Sequence, residues 1–448
     1  MLLVSCYELG HQPLGAAWPQ AFLERAGYAP DTLDLAVESL AADKVRRARL
    51  VALAVPMHTA LRLGVEAAAR IRALNRGCYL VFHGLYALLN AAYLRECGAD
   101  AVLGGEAEDA LVAVAQRLEA GVTASPDVGP SLARLAYPVP SRGSLPQLTR
   151  YVSLARAGRL TPAGYVEASR GCLHACLHCP IPPVYGGRFF AVPRDVVLAD
   201  VRQLVAAGAG HITFGDPDFL NGPGHAVKLA QALHAEFPEL TYDFTAKIEH
   251  IVRHRGLFGG FRATGCLFVV SAVESLSDVV LAHLEKGHTR ADVIVALDVL
   301  RAAGIALRPS FVPFTPWATL TDYLDLLDFV AGEELIDQVD PVQLSIRLLV
   351  PPGSLLLSRP ALRPLLGELD RAAFTYRWTH ADPRMDALQR DVSALVEAAA
   401  RAGADPAVTL AQVRALACRR AGRPAPPLAH APPPERPVPA RLTEPWFC

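Results

Sequence analysis

The sequence predicts an α/β protein: an N-terminal doubly wound parallel sheet, then a partial (β/α)6 barrel, then a C-terminal helical region with a Pro-rich tail. Three observations predict it. Short apolar runs alternate with amphipathic stretches through residues 1–121, the alternation returns with six such runs over 163–350, and the segment after 421 is too rich in proline to form a packed core.

In the first region strands are expected at Leu2–Ser5, Leu33–Leu35, Leu50–Val55, Tyr79–Phe82 and Ala101–Leu103, with helices such as Ala60–Ala73 and Leu85–Arg95 between them. Ligands of doubly wound sheets bind at the carboxyl ends of the strands. Residues 122–162 loosen into Ser125-Pro-Asp, Gly129-Pro, Pro138-Val-Pro and Ser141-Arg-Gly and read as a linker. Over 163–350 the expected strands are Tyr165–Ala168, His211–Phe214, Thr241–Phe244, Leu267–Ser271, Ala306–Phe311 and Val342–Leu348. Helices at Arg194–Ala207, His225–Glu236, Leu276–Leu284, Arg290–Ala303 and Leu320–Val330 separate them. By analogy with full barrels, the site should lie on the carboxyl-end face. Residues 351–421 read as helical, and 422–448 as an extended, mobile arm.

Composition narrows the function. At 448 residues, with 52% hydrophobic and 19% charged residues, the chain has room for two or three packed domains. A net charge of -1 provides no long-range field for nucleic acid or an acidic membrane. The N-terminus lacks the basic region and apolar core of a signal peptide, and no apolar run is long enough to span a bilayer, so a cytoplasmic protein is expected. Nine scattered cysteines do not suggest a disulfide framework, and Cys78, Cys97 and Cys266 read as core residues.

The most specific signal is Arg170-Gly-Cys172-Leu-His-Ala-Cys176-Leu-His-Cys179-Pro. This CxxxCxxC spacing can supply three thiolates to a four-iron cluster and leave the fourth iron open to a chelating substrate, whereas clusters that only carry electrons take four cysteines. The alternative is a zinc knuckle completed by His174 or His178. Zinc motifs of this size usually bring a second CxxC nearby, and none is present.

The motif, preceded by the strand-like Gly164-Tyr-Val-Glu-Ala-Ser-Arg-Gly171, resembles the signature of the radical S-adenosylmethionine (SAM) superfamily. That resemblance implies a [4Fe-4S] cluster on Cys172, Cys176 and Cys179, SAM as co-substrate, and an electron donor such as flavodoxin or ferredoxin. The strand order of residues 1–121 and the loop Gly104-Gly-Glu-Ala-Glu108 resemble the cobalamin-binding domain that precedes many radical SAM domains. A lower-ligand motif of the Asp-x-His-x-x-Gly type is absent, and His11 and His58 are the histidines at expected strand ends.

The resemblance also implies SAM contacts at the strand ends. In Phe214-Gly-Asp-Pro-Asp-Phe219, Asp216 or Asp218 would face the methionine ammonium, the alternative being a turn cap. Glu274, in Ser271-Ala-Val-Glu-Ser275, matches the carboxylate that holds ribose hydroxyls in cobalamin-domain members; the alternative is a helix N-terminal charge. Lys247 or Glu249 could point into the barrel. Arg308 and Arg347 suit the SAM carboxylate or an anionic substrate, with buried ion pairs as the alternative.

The ending Leu442-Thr-Glu-Pro-Trp-Phe-Cys448, taken with Pro313-Phe-Thr-Pro-Trp317 and Ser345-Ile-Arg-Leu-Leu-Val-Pro-Pro-Gly-Ser354, resembles a radical SAM family named for a CUAEP or CCAEP tail, U being selenocysteine. This chain stops at the first cysteine of that pattern, which is expected if an in-frame selenocysteine codon was read as stop. The resemblance implies Cys448 as a catalytic thiol presenting a soft ligand to a thiophilic centre, with trivalent arsenic accepting the 3-amino-3-carboxypropyl group of SAM. The alternatives are a cobalamin-dependent radical methyltransferase, another radical SAM enzyme on a small natural-product substrate, and a non-catalytic iron–sulfur or zinc protein.

Overall fold

The computed structural model describes residues 1–123, 129–424 and 438–444. Strands β1 (Leu2–Ser5), β2 (Asp31–Asp34), β3 (Leu50–Ala54), β4 (Tyr79–His83) and β5 (Ala101–Leu103) form a parallel sheet in the order β2-β1-β3-β4-β5. Every residue of β1, β3, β4 and β5 is buried. Helices Leu14–Arg25 and Glu108–Glu119 pack on one face, and His58–Leu74 with two short helices on the other. The sheet reverses its winding between β1 and β3, which places a crevice at their carboxyl ends. The expected helix Leu85–Arg95 is split into Leu85–Leu89 and Ala91–Glu96. At the break, Asn90 Nδ2 donates to Tyr86 O at 3.0 Å, the local side-chain bonding by which asparagine competes with helix continuation.

The second sheet starts earlier than expected. Strands β6 (Ser153–Arg156) and β7 (Arg159–Val166) form an antiparallel hairpin whose first strand lies inside the expected linker. Strands β8 (Ser169–Gly171) and β9 (Phe189–Ala191) bracket the cysteine loop. Strands β10 (His211–Phe214), β11 (Thr241–Thr245), β12 (Cys266–Glu274) and β13 (Ala306–Phe311) continue from β7 in parallel register. This curled half-barrel is covered outside by helices Arg194–Ala206, Pro223–Glu236, Arg290–Ala302 and Leu320–Gly332.

The residues expected as a sixth strand, Val342–Leu348, instead make the 3-10 turn Pro341–Ser345 and a single bridge between Phe314 and Arg347. Pro341 has no N–H to give a ladder, and Gln343 Oε1 accepts from Phe311 N at 3.1 Å, so a side chain serves the edge of β13 where a strand carbonyl would otherwise stand. The C-terminal region adds the hairpin β14 (Leu366–Asp370) and β15 (Thr375–Trp378) ahead of helices Pro383–Arg401 and Pro406–Arg420. Each of those helices opens on an Asp-Pro pair whose aspartate, Asp382 or Asp405, accepts a backbone N–H of the first turn.

Within the tail, β16 (Arg441–Leu442) joins the second sheet antiparallel to β6, completing the order β13-β12-β11-β10-β7-β6-β16. Thr443 N donates to Ser153 O at 2.9 Å and Ser153 N to Thr443 Oγ1 at 2.9 Å. These residues form an edge strand and not the mobile arm that the proline content suggests. Cys448 and most of the Pro-rich stretch lie outside the described residues.

Candidate active site

The cysteine loop leaves β8 through Gly171, at φ +74, where a Cβ would stand 2.3 Å from Arg188 O and 2.7 Å from the Tyr185 ring. No side chain fits there. Gly171→Ala is therefore expected to displace the loop start at a cost of roughly 1–2 kcal/mol from the left-handed conformation alone, and to lower the iron bound per chain after anaerobic reconstitution; unchanged iron content would refute that role. Beyond Gly171 the loop is tied at several points. Leu173 N donates to Asn221 Oδ1 at 3.4 Å, Leu177 N to Leu284 O at 3.0 Å, and Ser354 Oγ to Leu177 O at 3.4 Å.

Cys172 and Cys176 are buried, Cys179 is partly buried, and all three are free thiols. Burial pushes the Cys172 thiol above its ordinary range and Cys179 up to about 12, with the neighbouring cysteines adding to both shifts. Such thiols hold their protons at neutral pH until a cation replaces them. Among the described residues, the set of three or more ligand atoms lying within 4.8 Å of one another is His174, Asp218 and His250, not the three thiols.

Behind the loop, an aromatic stack fixes the acidic turn after β10. Phe219 packs on Phe214 with ring centroids 4.6 Å apart and on Phe244 at 4.9 Å. Asp216 is consumed there: its Oδ2 accepts from Ala168 N at 2.9 Å and its Oδ1 from Ser169 Oγ. It braces the end of β7 and is not turned toward a ligand's ammonium, a correction to the sequence expectation. Its burial raises the carboxyl to about 7 against those two hydrogen bonds. Asp218 Oδ1 accepts from Leu220 N at 3.0 Å, while Oδ2 lies 3.3 Å from His174 Nε2 and 2.7 Å from His250 Nδ1.

Glu274 ends β12 at φ +64, where the register against β13 shifts. Burial would raise its carboxyl, yet the Lys286 ammonium 3.4 Å away and His178 Nε2 at 3.0 Å hold it down to about 2. Both contacts fall on Oε1. His178 thus joins the cysteine loop to the end of the fourth parallel strand. Lys286 is absent from the sequence expectations because a lysine twelve residues past a strand end carries no local signal. Lys247 Nζ lies 3.2 Å from His174 Nδ1 and 3.2 Å from Glu249 Oε2, so both residues do face the loop.

The two arginines part company. Arg308 lies on β13 with Nη2 3.2 Å from Asp340 Oδ2 and its guanidinium over the Phe268 ring; its Nη1 is buried without a partner among the described residues. Arg347 is fully committed elsewhere. It stacks 3.4 Å over the Trp378 ring, pairs with Asp386 at 2.7 Å and donates to Trp378 O, so it clamps the C-terminal helices and does not await a SAM carboxylate.

Comparison with known proteins matches residues 166–330 to the radical SAM superfamily. The chain carries a radical SAM domain. Curated relatives include the ribosomal protein uS12 methylthiotransferase of Geobacter sulfurreducens, 28% identical over 44% of this chain and 48% of that protein. Another is the tRNA-2-methylthio-N(6)-dimethylallyladenosine synthase of Fusobacterium nucleatum, 25% identical over 37% of this chain and 40% of that protein. The chain spans less than half the length of these relatives. Among solved structures, the fold is similar to the cobalamin-dependent radical enzyme OxsB, with TM-score 0.66 and 15% identity over 89% of this chain and 66% of that one. It is also similar to the methyltransferase TsrM of Kitasatospora setae, with TM-score 0.58 and 18% identity over 74% and 71% of the two chains.

The radical SAM domain is tied to the N-terminal sheet by Arg170, two residues before the first cluster cysteine. Its guanidinium meets Glu108 at 2.6 Å, Glu167 at 2.8 Å and Glu106 at 3.7 Å; Glu106 also accepts from Tyr137 and Tyr185. The loop Gly104–Glu108, notable for its likeness to cobalamin domains, thus acts here as an acidic clasp on Arg170.

A cavity of about 580 Å³ opens at the carboxyl edge of the N-terminal sheet, lined in part by Tyr7, Val37, Arg62, Arg150 and Thr443. Neither candidate histidine lines it. His11 stacks on Tyr165 at 4.6 Å with Nε2 3.3 Å from Glu444, and His58 Nε2 is 2.7 Å from Ala373 O. A corrinoid in this cavity would take no cobalt ligand from either. Among the described residues, no helix is long and apolar enough to cross a membrane.

Proposed function

We propose that this protein is a radical SAM enzyme that reductively cleaves SAM and transfers a SAM-derived group to a small thiophilic acceptor. The observation carrying the first half is the three-thiol loop, held by Gly171 and facing the carboxyl ends of the parallel strands beside Glu274. When bound, the cluster supplies one electron to the sulfonium of SAM. The chain's own residues orient the substrate. Glu274 Oε2, which neither His178 nor Lys286 engages, is the acceptor available to a ribose hydroxyl, and Arg308 Nη1 is the donor available to a carboxylate.

The acceptor is argued from the tail. Strand β16 runs parallel to β7, toward the carboxyl edge of the half-barrel, and brings Glu444 to His11 where the two sheets meet. Cys448 follows four residues later in the sequence, outside the described residues. The family resemblance of the tail supports a soft thiol ligand and trivalent arsenic as the acceptor. Overall the transfer is redox-neutral: a carbon–sulfur bond of SAM breaks, a carbon–arsenic bond forms, arsenic rises from trivalent to pentavalent, a proton leaves, and the electron that opened the sulfonium is returned. The second reading, cobalamin-dependent methylation, is favoured by the 2-1-3-4-5 sheet and the likeness to OxsB.

Anaerobic incubation of the full chain with SAM, an electron donor such as reduced flavodoxin, and arsenite should yield methylthioadenosine and an organoarsenical. 5'-Deoxyadenosine with arsenite untouched would sink the arsenic reading while leaving SAM cleavage intact. Corrinoid retained through gel filtration would favour the methyltransferase.

A further inference from the structure

We propose that His174, Asp218 and His250 form a binding site for a divalent first-row transition-metal ion, distinct from the three-thiol loop. The residues come from three separate elements: the cysteine loop, the turn after β10, and the helix Ile248–Arg253 after β11. Their side chains are 15%, 2% and 7% exposed, so the cluster is held away from solvent.

The decisive feature is where the polar atoms point. His174 Nε2, Asp218 Oδ2 and His250 Nδ1 are each buried with no aligned hydrogen-bond partner among the described residues, although they lie only 3.3 and 2.7 Å apart in pairs. A histidine–aspartate pair that existed for its own sake would align its N–H on the carboxylate, since misaligned contacts weaken steeply. Ligands of one ion aim at a shared point and past one another. With metal–nitrogen and metal–oxygen bonds of about 2.0–2.2 Å, neighbouring ligand atoms stand roughly 3 Å apart, as each imidazole nitrogen does from Asp218 Oδ2, with all three atoms within 4.8 Å of one another. The other oxygen of Asp218 is occupied by Leu220 N, which orients the carboxylate.

Around His174 Nδ1 stand the Lys247 ammonium at 3.2 Å and Glu249 Oε2 at 3.9 Å, which are paired with each other. Two imidazoles and one carboxylate suit zinc or ferrous iron and leave coordination positions for water or an anionic substrate group. Because His174 sits between Cys172 and Cys176, an ion here would also stiffen the cluster loop. Asp218 then serves the ion, not the ammonium of SAM.

The test uses Co²⁺ on the full-length chain with all three loop cysteines replaced, Cys172→Ser, Cys176→Ser and Cys179→Ser. One equivalent should bind, with visible d–d bands and no sulfur-to-cobalt charge transfer, and Zn²⁺ should displace it. Adding His250→Ala should abolish binding. A folded chain lacking the loop cysteines that binds no Co²⁺, or binding indifferent to His250→Ala, overturns the proposal. Should that chain fail to fold, the non-cluster metal of the reconstituted wild-type and His250→Ala proteins is compared by elemental analysis. One equivalent lost at unchanged sulfide content supports the site, and equal metal content refutes it.

Discussion

Cys176→Ala should leave a chain that binds little iron and cleaves SAM roughly a thousand-fold more slowly or worse, about 4 kcal/mol of barrier. Cys176 is buried in a loop pinned from both sides, so no neighbouring thiol can take its place without moving Leu177 from Leu284 O or Ser354 from Leu177 O. Two thiolates do not hold a four-iron cluster that already offers one iron to substrate. Cys418→Ala, in the helix Pro406–Arg420, is the control and should keep full iron content. Iron and sulfide analysis with product quantification decides it; Cys176→Ala retaining the wild-type cluster would overturn the assignment. Cluster assembly should also speed up as pH rises. Cys172 and Cys179 hold their protons above the ordinary thiol range in the metal-free chain, so higher pH lowers the cost of removing them.

Arg170→Met should cost about 3–5 kcal/mol, which for a unit of this size lowers the melting temperature by roughly 6–20 °C. The substitution keeps the aliphatic volume but strands Glu106, Glu108 and Glu167 beside one another, the first of them fully buried. Burial already raises Glu106, with Arg170 and then its neighbours modifying that shift. Without the guanidinium the Glu106 carboxyl would rise further. A raised carboxyl costs stability above its folded pKa and ceases to cost it once the pH falls below the unfolded value. The gap between variant and wild type should therefore narrow on acidification toward pH 4 and widen toward pH 8. Adding Glu106→Gln and Glu108→Gln should recover part of the loss. A pH-independent deficit that these changes do not repair would mean that the side chain's packing over Trp18 and Tyr137, not its charge, is what matters.

Features that repeat locally or sit in a short motif are legible in the amino-acid sequence. Short apolar runs locate every expected strand except Val342–Leu348, and the cysteine spacing locates the loop. The failures have one physical origin. Val342–Leu348 resembles a strand because Leu344, Ile346 and Leu348 alternate, but Pro341 and the Gln343 side chain give the edge of β13 another partner. Asp216 and Arg347 resemble ligand contacts because a lone charge on an apolar background suggests one. Their true partners, Ser169 and Ala168 for the first and Trp378 and Asp386 for the second, lie more than thirty residues away. The proline content of the tail is sound evidence against a core, yet two residues of edge pairing with β6 are enough to bring Thr443 and Glu444 to the seam between sheets.

The sequence by itself therefore determined the α/β class, the order of its two sheets and the three cysteines of the radical SAM motif, because periodicity and short spacing are properties of neighbouring residues. Only the tertiary structure decided that Arg170 clasps the N-terminal domain, that Glu274 is held ionised by Lys286 and His178, and that His174, Asp218 and His250 converge. Those outcomes depend on burial and on partners brought together from distant parts of the chain. In a low-dielectric interior, such partners set both the charge state and the direction of each side chain.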